Sequence, residues 1–495
     1  MLFTTAPFLL LFLPIALAGY FLFGRYLPRH AATWLFAASL FFYGYWMPVF
    51  VGLLLASIAF NYLIAQGIVG HLRRGPGPWA RRCLWLGLAA NLLVLAYFKY
   101  ANFFVENLNA LTGAGWSLGN IILPIGISFY TFTQIAYLVD AYEGKVNETN
   151  PVHYGLFVTY FPHLVAGPVL HHAQMMPQFA DQAIYRPRAD HLVGGLAILT
   201  LGLFKKVVLA DGLSPYADAV FTAADSGVRL DSGEAWLGAV AYALQLYFDF
   251  SGYSDMAIGL SRMFNVKLPF NFDSPYRARN ISDFWRRWHM SLSQFLRDYL
   301  YIPLGGNRFG LARRYLNLGI TMVLGGLWHG ASWSFVIWGA LHGAYLMINQ
   351  GFRAGLGDQL QRRLDNKLLY GLASWALTLF AVLLAWIFFR AQTLGGASHL
   401  ILTMLTGSAP ASEPSGVLWN AGLQATRGWI WCGAVGALAL FAVNSNQAGH
   451  WLLGILARGG WRLPMLGGAC LCAAGLLLLV NVARDSTSAF IYFNF

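Results

Sequence analysis

Between Arg314 and Arg353 no Asp, Glu, Lys or Arg interrupts the chain. Apolar runs of about 20 residues, the length needed to cross ~30 Å of hydrocarbon, recur from the first residues to the last. Only 11% of the 495 residues are charged and 58% are hydrophobic, against roughly 25% charged in a soluble domain. In hydrocarbon the backbone must satisfy its own hydrogen bonds, which leaves helices and closed barrels. The ~10-residue alternating segments of a barrel are missing from the sequence, so an all-α polytopic membrane protein is expected.

Candidate spans fall at about 3–23, 31–47, 48–70, 83–105, 120–139, 151–170, 192–210, 235–263, 316–349 (long enough for two), 370–389, 428–446 and 464–483. That is about 11–13 transmembrane or re-entrant helices, read as one membrane domain over 1–495. The first segment has neither a charged n-region nor an A-x-A site and reads as a retained helix. Net charge is +12, but its arginines and lysines sit in short loops: Arg73, Arg74, Arg81 and Arg82; Arg308, Arg313 and Arg314; Arg362, Arg363 and Lys367. This is the positive-inside pattern of cytoplasmic loops, with no nucleic-acid partner implied. Residues 211–234, rich in Asp, read as a loop lacking that excess; Arg458 and Arg462 place the last loop inside and the carboxyl tail outside. Cys83, Cys432, Cys470 and Cys472 form no C-x-x-C pair, so neither a disulfide framework nor a zinc site is indicated.

Residues 262–314 differ from the spans, mixing charge with aromatics. A helix start is expected at Asn280–Asp283, capped by Ser282 or Asp283. The helix that follows carries Arg286, Arg287 and Arg297 beside Phe284, Trp285, Trp288, Leu292 and Leu296. Three arginines are costly against lipid, so it should lie at an interface or line a polar cavity. His289 within it, flanked by arginines, suits an anionic group such as a phosphate; lipid-headgroup contact is the competing reading.

His329, in "LGGLWHGASW", is the strongest candidate, because ionisable groups inside membrane segments usually mark function. Gly325, Gly326 and Gly330 let a ligand or another helix come close, while Trp328 and Trp333 are placed to wall a pocket. His163, His171 and His172 lack a carboxylate or thiolate at ligand spacing and are read as structural, with no metal expected. "YFDFSGYSD", with Asp249, Ser251 and Asp255, lacks the strand-turn-helix context of a hydrolase elbow. Its carboxylates are expected to satisfy backbone or tyrosine partners. The ending "STSAFIYFNF" (486–495) is too apolar to lie free in water and is expected to insert into a groove.

"YFKYANFF" (97–104), "ILPIGISFYTF" (122–132), "FPHLVAGPVL" (161–170), "QLYFDFSGYSDMAIG" (245–259), the 271–308 segment and "LGGLWHGASWSFVIWGALHG" (324–343) resemble the membrane-bound O-acyltransferases. Within them the similarity is to a bacterial branch that O-acetylates alginate. The resemblance implies a helical bundle around a central tunnel, with the catalytic signature over 245–343. It implies O-acetylation of an extracytoplasmic polysaccharide from cytosolic acetyl-CoA at a bacterial inner membrane, alongside an extracytoplasmic SGNH-hydrolase-like partner.

It also implies that His329 and His289 are catalytic, with no bound cofactor. Asn271, Trp288, Arg308, Trp328 and Trp333 would line the tunnel, and Arg286 and Arg287 would attract the donor's phosphates. "FIYFNF" is similar to the tail of a small peptide of the D-alanylation system that relays acyl groups, which makes Tyr492 a candidate acyl acceptor. A neutral imidazole with pKa near ~6.5 can take a hydroxyl proton at physiological pH. Competing readings are a transporter of an acylated glycan, whose repeated halves are not found, another acceptor (cellulose, peptidoglycan, teichoic acid, lipid or protein), and a structural scaffold.

Overall fold

The computed structural model describes residues 1–495 except 76, 166, 408–415, 457–461, 484–489 and 492–495. Among the described residues the chain is helical and carries no strand. Among the described residues six helices are long and apolar enough to cross a membrane: Pro7–Tyr26, Pro48–Arg73, Pro78–Thr112, Ala189–Asp225, Leu368–Arg390 and Leu463–Val482. Contacts divide the chain into two compact units.

The first unit comprises residues 1–203, 253–269 and the described part of 449–494. Its core is aromatic: Phe3 and Phe8 lie 4.9 Å apart, and Phe161 packs against Phe12 at 5.2 Å and Phe42 at 5.5 Å. Such pairs add about 0.5–1.5 kcal/mol beyond area burial. Asn61 and Asn91, buried on adjacent helices, exchange amide hydrogen bonds of 3.2 and 2.6 Å. A Cβ on Gly195 would lie 2.5 Å from the Gly259 carbonyl oxygen, so the two helix backbones touch, as small residues permit in membrane bundles. Phe490, described within the tail, is buried with its ring 4.4 Å from Tyr253. Tyr492 lies outside the described residues.

The second unit comprises residues 204–252 and 270–448, without 408–415. Here the expected loop 211–234 is corrected: Asp211–Asp225 is a helix, and only the residues after it connect to Ser232–Met263. Leu213, Ala217, Val220, Phe221 and Ala224 bury one face of it, the i, i+4, i+7 stripe of an amphipathic helix. Its aspartates are used internally. Asp218 pairs with Arg390 at 2.7 Å, and Asp225 accepts the backbone N–H groups of Gln392 (3.1 Å) and Thr393 (3.0 Å).

Two further helices, Gly310–His329 and Trp333–Asp365, form a hairpin. The turn follows from Gly330, whose extended backbone (φ −165°) ends the first helix, and Ser332, which stands at the N-cap of the second. Gly326 and Gly339 let the two backbones meet: a Cβ on Gly326 would lie 3.2 Å from the Gly339 Cα. A Cβ on Gly330 would strike the Phe335 ring. Of the two uses the sequence allows for these glycines, the structure displays helix packing. The second helix breaks at Gly357, whose backbone (φ 69°, ψ 161°) no longer continues the helix.

Candidate active site

His329 is the last residue of its helix, at the tip of the hairpin, and is buried. Three rings stand nearly perpendicular to the imidazole: Trp328 at 4.9 Å, Trp338 at 5.0 Å and Phe389 at 5.1 Å. Trp338 comes from the returning arm of the hairpin and Phe389 from Leu368–Arg390. Such a cage excludes water from the imidazole, and in a low-dielectric setting each polar interaction with a reacting group is stronger than in water.

His289 is placed by a break in the chain. The single helix expected after Asn280 is corrected to two short ones, Ile281–Arg287 and Met290–Leu296, with His289 between them in a left-handed conformation (φ 44°). Asn280, rather than Ser282 or Asp283, is the cap, its Oδ1 accepting from the Asp283 N–H at 2.9 Å. A left-handed non-glycine residue costs roughly 1–2 kcal/mol, and Asn271 holds it. The Asn271 carbonyl accepts from Met290 N–H (3.0 Å), and its Oδ1 accepts from Ser291 N–H (3.1 Å) and Ser291 Oγ (2.9 Å).

The Ser291 backbone N–H can only donate, so the Asn271 atom facing it must be the oxygen. His289 Nδ1, 3.2 Å from that oxygen, therefore carries the proton, leaving Nε2 as the basic nitrogen. Burial lowers the His289 pKa to about 3, so the ring is neutral at physiological pH. The Trp328 ring connects the two histidines, 6.4 Å from His289 and 4.9 Å from His329. Trp288 is buried against Phe272 (5.1 Å), Phe284 (5.7 Å) and Trp386 (4.8 Å).

The structure therefore gathers His289, Asn271, Trp288, Trp328 and His329. The basic residues fall elsewhere. Arg287 is held by Asp283 (3.0 Å) and Asp273 (3.8 Å), which engages the fork intended for a donor's phosphates. Arg286 and Arg308 are exposed, and Trp333 is 52% exposed at the start of the returning arm.

Sequence reading missed four of the surrounding side chains: Trp338, His342, Trp386 and Phe389. His342 is fully buried, accepts from Trp285 Nε1 at 3.3 Å and lies 4.8 Å from Trp338. The i, i+4 spacing of Trp338 and His342 was the available signal. Asp249 of "YFDFSGYSD" also departs from expectation. Asp249 pairs with Lys206 at 2.6 Å, and the same ammonium reaches Asp211 at 2.8 Å. The other histidines have protein partners: His163 Nε2 bonds the Phe157 carbonyl at 3.0 Å, and His172 pairs with Asp140 at 3.0 Å.

A helical chain with membrane-length segments, carrying two buried histidines under a shared tryptophan, has the form of an enzyme embedded in the bilayer. The family model of the membrane-bound O-acyltransferases matches residues 147–389. Helicobacter pylori peptidoglycan O-acetyltransferase is 42% identical over 432 residues, covering 82% of this chain and 80% of that protein. The probable alginate O-acetylase of Azotobacter vinelandii is 44% identical over 411 residues, covering 82% and 78%. Bacillus subtilis teichoic acid D-alanyltransferase is 30% identical over 245 residues, covering 47% and 60%. The chain belongs to the membrane-bound O-acyltransferase family and is an acyltransferase.

Proposed function

We propose that the chain takes an acetyl group from acetyl-CoA on the cytoplasmic side of a bacterial inner membrane and passes it outward for O-acetylation of an extracytoplasmic polysaccharide. His329 is the general base. The observation that carries this reading is the buried imidazole at the hairpin tip, enclosed by Trp328, Trp338 and Phe389. The polysaccharide class is supported by relatives named for alginate and peptidoglycan O-acetylation.

His329 accepts the proton of an acceptor hydroxyl, whose oxygen attacks the thioester carbonyl. The carbon–sulfur bond breaks, the thiolate leaves, and the imidazolium returns the proton to sulfur. A thioester is already activated, so the chain's task is to deliver the hydroxyl in a dry site. His289, its proton held on Nδ1 by Asn271, presents Nε2 and shapes the cavity with Trp288 and Trp328. Tyr492 is the relay hydroxyl that carries the acetyl group before a second, SGNH-hydrolase-like protein places it on the glycan.

The test is His329→Gln in the producing cell, with insertion checked by the amount of protein in purified membranes. Product acetylation should vanish while the protein remains at its normal level. Normal acetylation would refute the assignment.

A further inference from the structure

Within the second unit a cavity of about 640 Å³ is lined by residues from both sides of the break at Gly357, Arg353 and Gln361 among them, within the 300–1,000 Å³ range of ligand pockets. Part of the lining is cationic. Arg279 and Arg353 form that part, and among the described residues neither guanidinium has an ion pair or hydrogen bond. Arg279 lies over Gly371, where a Cβ would be 3.5 Å from its Nη1. Two carboxylates also face the cavity. Asp283 is already held by Arg287 at 3.0 Å, and Asp365 remains. Two free cations against one free carboxylate leave a net positive charge.

Apolar side chains of the same lining are exposed: Ile348 is 68%, Phe352 51% and Leu377 69% exposed. Leu377 belongs to a helix of membrane length, and Arg279 lies near the start of that helix, where it shares a pocket with Lys367. The positive-inside bias puts this end of the helix at the cytoplasmic headgroup layer. A cavity whose lining combines guanidinium groups with exposed apolar side chains matches a molecule with an anionic head and a hydrocarbon tail.

We propose that it binds an anionic glycerophospholipid. The phosphodiester lies between Arg279 and Arg353, where planar guanidinium forks suit phosphate oxygens, and an acyl chain runs along Ile348, Phe352 and Leu377. The site is separate from the chemistry, and packed side chains link the two. Tyr345 lines the cavity and lies 5.8 Å from His342. His342 in turn packs on Trp338, which packs on His329.

The test uses the full chain purified from bilayer nanodiscs containing phosphatidylglycerol, phosphatidylethanolamine or phosphatidylcholine, with retained lipid counted by native mass spectrometry. The chain should retain one phosphatidylglycerol in preference to the zwitterionic lipids. Arg279→Gln with Arg353→Gln should lower that retention ~10-fold or more, the loss expected from ~1.4 kcal/mol. Arg353→Lys, which keeps the charge without the fork, should give an intermediate loss and controls for folding. Excess inorganic phosphate or adenosine 3′,5′-bisphosphate should leave the lipid in place. Equal retention of the three lipids, unchanged retention in the double variant, or displacement by either soluble phosphate compound would overturn the proposal.

Discussion

Replacing Asn271 by leucine removes a single acceptor and tests how His289 is placed. Asn271 Oδ1 receives three donors: His289 Nδ1 at 3.2 Å, Ser291 N–H at 3.1 Å and Ser291 Oγ at 2.9 Å. Leucine keeps the volume and supplies none of these bonds. The serine hydroxyl can rotate toward another acceptor, but the backbone N–H and the imidazole N–H cannot. Each buried donor left unpaired costs about 1–3 kcal/mol, so two of them give roughly 2–6 kcal/mol. The left-handed conformation of His289 (φ 44°) would lose its clamp at the same time. Asn271→Asp retains an acceptor for all three donors and should be less damaging. The assay is thermal unfolding of the purified protein, followed by a thiol-reactive dye that reports the buried Cys432 and Cys470. Asn271→Leu should unfold well below wild type, with Asn271→Asp between them. Coincident transitions for leucine and wild type would refute the clamp.

Three further outcomes are expected. Lys206→Met leaves Asp211 and Asp249, which sit 2.8 and 2.6 Å from the ammonium, as buried carboxylates without their cation. It should destabilise the protein by about 3–5 kcal/mol, measured by the same thermal assay. Tyr492→Phe removes only a hydroxyl and should abolish product acetylation with normal protein levels; retained acetylation would confine the tail to packing. His289, lowered to about 3 in the fold by burial and near ~6.5 unfolded, binds its proton more readily when unfolded. It should cost no stability above pH ~6.5 and progressively destabilise the fold as pH falls below that value. His289→Gln should flatten this part of the stability–pH curve.

The membrane class and the two principal histidines can be read from the sequence because they depend on local composition. A charge-free run must be solvated by lipid or protein, and His329 is conspicuous within one. The glycines around it also announced close approach, yet the same feature serves a ligand or a helix, and only the position of Gly339 decides between them. Other features needed the fold. Arg286 to Arg297 has the pattern of one amphipathic helix, and its break at His289 depends on Asn271, 18 residues upstream. Phe389 closes the cage from an unremarkable apolar helix. Lys206 finds Asp249 across a distance in sequence that no periodicity encodes. Residues 211–225 looked like an acidic loop because the partners of Asp218 and Asp225, Arg390 and the backbone of 392–393, lie on another segment.

The most direct measurement of the central claim is sided transfer by the reconstituted chain. Proteoliposomes receive [1-¹⁴C]acetyl-CoA on the face that carries the basic loops, and label is followed on the chain itself and on acceptor polysaccharide supplied with the partner protein at the opposite face. The wild-type chain should release CoA thiol and transfer label across the bilayer; His329→Gln, at equal incorporation, should do neither. Equal transfer by both proteins would contradict the assignment of His329 as the base.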